Sequence, residues 1–268
     1  MNRRDALAAL ASGTAAVTGC SGLTGSGGVD LAVESVAATP EAVALTTPDS
    51  IGTYGSRDGQ FLLVEADANG EPLDPGDVGV SVRDRTVRPS TDVGSNYRLW
   101  GYGDQFTFLG NLPSDEERTV AGWLPFEVEN PIDADGVTIE WPGGERSVDD
   151  RTVETLRRPP TTFDVTVDAP AEIEGGSAAP ILVTVENTGD VDGTFVGALN
   201  RIGPSVAYTP ETAIELDVPS GEADTWEYSH GAGGTLTFIV RWRAGRQKRE
   251  ITVAGDATDG PTLLDGPG

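Results

Sequence analysis

The chain has 268 residues, with 43 acidic against 18 basic side chains, a net charge of −25 and a pI near 4.1. A balance this acidic excludes a nucleic-acid-binding surface, which needs clustered positive charge. A content of 37% apolar residues, with five Trp, seven Phe and five Tyr, excludes a wholly disordered chain.

The first twenty residues read MNRRDALAALASGTAAVTGC. A basic start, a short uncharged Ala-rich run and a small-residue end make the layout of an export signal. A membrane-spanning helix needs about 20 apolar residues, more than this run supplies. The Arg3-Arg4 pair and weak hydrophobicity resemble a twin-arginine signal, although Ala6 stands where that pattern carries a large apolar residue; the general secretory route is the alternative. Val17-Thr18-Gly19-Cys20 resembles the lipobox of lipoprotein precursors. The resemblance implies cleavage before Cys20, a lipid on that residue and a place at the extracytoplasmic face of the cell membrane. Cys20 is the only cysteine, so an intramolecular disulfide is excluded.

Residues 20–29 then form a Gly/Ser tether. Residues 30–158 carry short β-branched or alternating runs, predicted as strands at 31–38, 60–66, 79–83, 97–102, 119–129 and 137–141. Asn69-Gly70, Asp135-Gly136 and Gly143-Gly144 supply turns between them. Phe61–Glu65 and Gly122–Val128 resemble two strands of an immunoglobulin-like sandwich domain found in prokaryotic lipoproteins, which brings no function with it. Residues 159–162 (Pro-Pro-Thr-Thr) read as a linker.

Residues 163–254 predict seven strands, at 163–167, 181–187, 194–200, 213–218, 223–229, 235–243 and 246–253, the number in an immunoglobulin-type sandwich. Val183, Val185, Asn187 and Gly189 match the V-x-V-x-N-x-G pattern of CARDB-like adhesion repeats, whose members are mostly spacers or binding modules. Residues 255–268, rich in Gly, Pro and Asp, are expected to be disordered. The predicted fold class is therefore all-β, two tandem immunoglobulin-like β-sandwiches after the signal segment.

The residues offer little for catalysis. His230, the one histidine, is expected in a Gly-rich turn, and one His without a free Cys falls short of a zinc site. The Asp-rich stretches 67–70, 133–136 and 190–193 lack the closing Glu of a calcium loop and read as hairpin turns. Asp115-Glu116-Glu117 and Asp149-Asp150 read as solvated loops. Arg241, Arg243, Arg246, Lys248 and Arg249 cluster near the end and are expected to pair with the protein's own carboxylates and blunt a sheet edge, the alternative being an acidic partner or lipid. Trp100, Tyr102 and Phe106 form either a binding loop or a core corner. Lys248 is the only lysine. That and the acidity resemble secreted proteins of extremely halophilic archaea, in which molar salt screens a dense acidic surface over about 3 Å.

The expected function is a non-catalytic, cofactor-free lipoprotein that binds, adheres or spaces at the cell surface, with the membrane, through Cys20, and an envelope protein or polysaccharide as partners. The alternatives are a ligand-binding subunit of an envelope transporter and a carboxylate-dependent hydrolase.

Overall fold

Apolar residues in unbroken succession at 61–64 cannot alternate between core and solvent, so the strand that holds them must be covered on both faces. A computed structural model, which describes residues 28–69, 73–93, 98–104, 121–203 and 207–254, places this run in the middle of a sheet. The regular structure of the described chain is almost entirely strand.

The N-terminal half holds β1 (Ala32–Thr39), β2 (Ala42–Thr47), β3 (Ser50–Tyr54), β4 (Gly59–Asp67), β5 (Gly79–Val82), β6 (Arg85–Val87), β7 (Arg98–Leu99), β8 (Gly103–Asp104), β9 (Ala121–Glu129), β10 (Val137–Trp141) and β11 (Gly144–Ser147). Strands β1-β4-β9 form one sheet and β11-β10-β5-β6 a second. Leu62 and Val64 of β4 and Leu124 and Phe126 of β9 meet Val80 and Ile139 of the other sheet in a core. On the opposite face of β4, Phe61 and Leu63 pack with Ala42, Ala44, Leu99 and Trp123. The 142–143 turn joins β10 to β11, and Gly143 takes a φ of +113° there, a conformation that favours glycine.

Several elements, the β2–β3 hairpin and a helix among them, were absent from the sequence expectations. Asp149-Asp150 is no solvated loop but the start of helix α1 (Asp150–Leu156). The Asp149 carboxylate accepts from Thr152 N at 3.0 Å and Thr152 Oγ1 at 2.7 Å, which caps the helix. Burial alone would raise that carboxyl, but the bonds from Thr152 hold it below the ordinary carboxylate range. Val153 and Leu156, three residues apart, anchor the helix in the core. Buried Gln60 donates to Leu156 O at 2.7 Å and so satisfies a carbonyl at the helix end.

The C-terminal half holds β12 (Phe163–Asp168), β13 (Glu172–Glu174), β14 (Ala178–Asn187), β15 (Gly193–Ile202), β16 (Thr209–Val218), β17 (Ala223–Gly231), β18 (Leu236–Trp242) and β19 (Gly245–Ala254). A three-stranded sheet, β12-β14-β17, faces a five-stranded one, β13-β19-β18-β15-β16. Ile181, Val183 and Val185 of β14 meet Phe195, Leu199, Phe238 and Val240 in the core between them.

Asn187 accounts for the V-x-V-x-N-x-G pattern. It is fully buried, and its amide donates to Val191 O and Val218 O, both at 2.8 Å. Its Oδ1 accepts from Thr161 Oγ1 at 2.7 Å and Gly189 N at 3.0 Å. All four of its hydrogen-bonding positions are filled, as burial of an amide demands. A Cβ on Gly189 would come within 2.1 Å of Thr161 Oγ1, so only glycine fits this close approach. Thr188 N also donates to Thr162 O at 2.9 Å. The segment expected as a linker is thereby pinned along β14.

The two halves share a buried seam. Strand β15 is covered on both faces: Phe195 and Leu199 point into the C-terminal core, while Val196, Ala198 and Asn200 point at β2 and β3. Val43 and Ile51 pack directly on Val196 and Ala198, with Leu45, Trp100 and Ala213 at the margin. At its centre, fully buried Asn200 accepts from Ile51 N at 2.8 Å and donates to Ile51 O at 2.9 Å.

Candidate functional site

Beside this seam a cleft of about 480 Å³ opens, and its walls come from both halves. The β2–β3 hairpin contributes Thr46 and Thr53; the β18–β19 hairpin contributes Arg241, Trp242, Arg243 and Arg246. The β2–β3 register slips between Leu45 and Thr47, and the Thr46 hydroxyl bonds across the hairpin to Ser50 Oγ at 2.9 Å.

The three arginines stand in different environments. Arg243 reaches back across the seam, donating to Pro40 O and, at 3.3 Å, to Gly59 O. Its Nε lies 3.5 Å from Glu41 Oε1, close enough for charge attraction but without a hydrogen bond. Gly55, at φ +138°, makes room for it: a Cβ there would lie 3.0 Å from Arg243 Nη2 and 3.2 Å from the Phe61 ring. Burial pushes the Glu41 carboxyl above its ordinary value, against the lowering influence of the Thr53 hydroxyl and Arg243. Arg241 donates to Tyr208 Oη at 3.3 Å, and its Nε is buried with no partner among the described residues. Arg246 is exposed and sits directly opposite Arg241 in the β18–β19 ladder.

The cluster thus departs from the sequence expectation in its pairing and not in its position. Only Arg243 of the five bases finds a carboxylate among the described residues, whereas Arg249 Nη2 donates to Gln247 Oε1 at 3.0 Å. Its position matches the expectation: β13 pairs with β19 only at Thr252–Ala254, so the basic stretch has β18 on one side and an open strand edge on the other among the described residues.

A second polar cluster joins the two C-terminal sheets. The β15–β16 register passes from Leu199↔Thr212 to Asn200↔Pro210, so Glu211 is the extra residue of a bulge. Such a bulge re-aims a side chain, and Glu211 points at Arg201, whose Nε donates to Oε1 at 2.7 Å. Both side chains are about nine-tenths buried. Tyr228 Oη donates to Glu211 Oε2, and burial together with that carboxylate pushes the phenol up to about 12. His230 Nδ1 lies 3.7 Å from the same oxygen. His230 is therefore a residue of β17 facing Glu211 of the opposite sheet, not a residue of a Gly-rich turn. The glycines that suggested a turn, 231 and 233, follow it instead.

The remaining candidates resolve as follows. Trp100 belongs to the margin of the seam, its backbone N donating to Val43 O at 2.8 Å. Tyr102 stacks edge-on to Trp123 at 5.1 Å, and burial with the nearby Glu215 charge pushes its phenol up to about 12. Phe106 and Asp115-Glu116-Glu117 lie outside the described residues. In the Asp-rich stretches, Asp67 Oδ1 accepts from Asn69 N at 2.8 Å, Asp133 pairs with Arg83, and Asp192 Oδ1 accepts from Ser220 N at 2.9 Å. Among the described residues no three His, Cys, Asp or Glu side chains gather as a metal site. Arg3, Arg4, Val17, Thr18, Gly19 and Cys20, the export and lipidation residues, lie outside the described residues. No helix among the described residues is long and apolar enough to cross a membrane.

No family model matches the chain, and no curated protein matches it. Among solved structures, a β-glucosidase from Listeria innocua in complex with isofagomine is similar at 16% identity and a TM-score of 0.31, covering 35% of this chain and 16% of its own. A GH3 β-glucosidase from Bifidobacterium adolescentis is similar at 17% identity and a TM-score of 0.30, over 40% of this chain and 19% of that one. The CARDB domain of a Pyrococcus furiosus protein in complex with di-metal ions is similar at 11% identity and a TM-score of 0.29, over 35% of this chain and 88% of that domain. The chain therefore spans less than a fifth of the length of these glucosidases. At these TM-scores none of the three likenesses bears on activity.

Sequence reasoning missed the residues that unite the halves. Asn200 sits inside an apolar strand run, GTFVGALNRI, as a lone polar side chain. A buried amide in such a run needs a partner, and that was the available signal. Nothing in the sequence said the partner would be Ile51, 149 positions away.

Proposed function

We propose that this protein is a non-catalytic, lipid-anchored extracytoplasmic module that binds or spaces at the cell surface. In this account Arg3 and Arg4 direct export, Val17-Thr18-Gly19 marks cleavage, and lipid on Cys20 holds two tandem immunoglobulin-like sandwiches, the second CARDB-like, outside the membrane. The molar salt of a halophile's surroundings screens the repulsion among their carboxylates.

The observation that supports this best is the seam. The buried Asn200–Ile51 pair and the apolar contacts of Val43 and Ile51 with Val196 and Ala198 join the halves into one stiff unit. A stiff unit on a Gly/Ser tether holds its outer surface away from the bilayer without losing that surface's shape, which suits a spacer or an adhesive module. The cleft at the seam, built by both halves, gives such a unit a place to bind.

Replacing Cys20 with Ser and fractionating cells in molar salt tests the anchor. The parent is expected in the membrane fraction and C20S in the medium or soluble fraction. Equal membrane retention of the two, or an unmodified intact amino terminus by mass spectrometry, would overturn the proposal.

A further inference from the structure

We propose that the cleft at the seam binds an oxyanion, a carboxylate, sulfate or phosphate group, between Arg241 and Arg246. The inference deepens the binding role suggested above and rests on it.

The first argument is register. Arg241 and Arg246 are directly opposed across the β18–β19 ladder, and both line the cleft. Directly opposed residues hold their Cβ atoms about 5 Å apart, and like charges in that position destabilise a sheet. In a chain with 43 acidic residues a compensating carboxylate would be easy to supply. Among the described residues neither arginine has one; the Glu41 carboxylate is turned to Arg243 instead.

The second argument is unused hydrogen-bonding capacity. A guanidinium carries five donors in a planar fork. Arg241 uses one, at 3.3 Å to Tyr208 Oη, and its Nε–H is buried without a partner among the described residues. The Arg246 guanidinium makes no hydrogen bond or ion pair among the described residues. Buried donors left unmade are costly, so a bound acceptor would relieve Arg241 as well as the Arg–Arg repulsion.

The third argument is shape. The arginines stand on a rigid two-stranded ladder rather than on a loop, while the hydroxyls across the cleft are already engaged, Thr46 with Ser50 and Thr53 with Glu41. Two forks held on a fixed ladder suit an anion with several oxygens better than a single-point ion. A direct contact of this kind also survives high salt, because screening acts on separated charges far more than on those in contact.

The test uses the full chain in molar potassium chloride, titrated with sulfate, phosphate or glucuronate at constant ionic strength. Calorimetry and thermal unfolding are the readouts. At least one oxyanion is expected to bind saturably, with affinity lowered about tenfold or more in R246Q and in R241Q. Arg246 is exposed, so R246Q should leave the fold intact, as circular dichroism checks. K248Q removes the same charge from the same strand away from the cleft and should bind like the parent. No saturable binding by any of the three anions overturns the proposal. So does equal binding by R246Q, equal loss in K248Q, or stabilisation that extra chloride reproduces. None of these results affects membrane retention through Cys20, and a failed anchor would leave anion binding measurable.

Discussion

The Asn200 side chain replaces a missing neighbour strand for Ile51: its Oδ1 and Nδ2 take up both the N–H and the C=O of that residue, at 2.8 and 2.9 Å. Ile51 is fully buried in β3, a strand that among the described residues pairs only with β2 in a two-stranded sheet. Its outward backbone groups would otherwise be stranded against the apolar face of β15.

Asn200→Leu is the substitution that isolates this pair. It keeps the volume close to constant but leaves a buried N–H and C=O unpaired, each costing about 1–3 kcal/mol. The expected result is a loss of several kcal/mol in denaturant unfolding. A second sign is selective deuterium uptake at β2 and β3, because the seam opens before either core.

Among the described residues, Arg201 and Glu211 form the one ion pair in which both partners are about nine-tenths buried. Arg201→Met strands the Glu211 carboxylate with only Tyr228 and a histidine at 3.7 Å, a situation that costs about 3–5 kcal/mol. The double variant R201M/E211L, which removes both charges, is expected to be much closer to the parent. A double-mutant cycle by chemical denaturation measures the difference, and additive losses would show that the pair is not coupled.

Glu41 sets a pH dependence. Burial raises its carboxyl above 4.5 in the folded protein. Between that value and the raised one, the folded chain binds more protons than the unfolded chain, so this group's contribution to stability falls as pH rises. Glu41→Gln mimics the protonated form. Its melting temperature relative to the parent should therefore climb from about pH 4 to pH 7 at fixed salt. A constant difference across that range would mean that burial does not perturb Glu41.

Part of the C-terminal half was legible in the sequence, because strands such as β14 expose one face and bury the other. Leu236, Phe238 and Val240 lie in the core where the pattern places them, but Thr237 and Ile239 on the opposite face are buried too, so β18 is not the half-buried strand expected. Asn187 and Gly189 were visible through the V-x-V-x-N-x-G resemblance, and their structural reason is the fully bonded, buried amide. In the N-terminal half the β2–β3 hairpin was missed. Its inward residues Ala42, Ala44 and Gly52 are small, and small residues give a weak hydrophobic signal. Helix α1 was missed because seven residues carry too few turns for a periodic pattern, although Asp149 and Thr152 spelled its cap.

The sequence by itself determined the strand-rich character, the acidic surface, the lone cysteine and the lack of a familiar catalytic motif. These follow from composition and from patterns a few residues long. Only the tertiary structure decided that β15 has two buried faces, that Asn200 meets Ile51, that a bulge aims Glu211 at Arg201, and that Arg241 and Arg246 share a cleft. Each of these depends on which strands become neighbours. Strand pairing is set by the packing of whole faces and is not encoded in any local spacing.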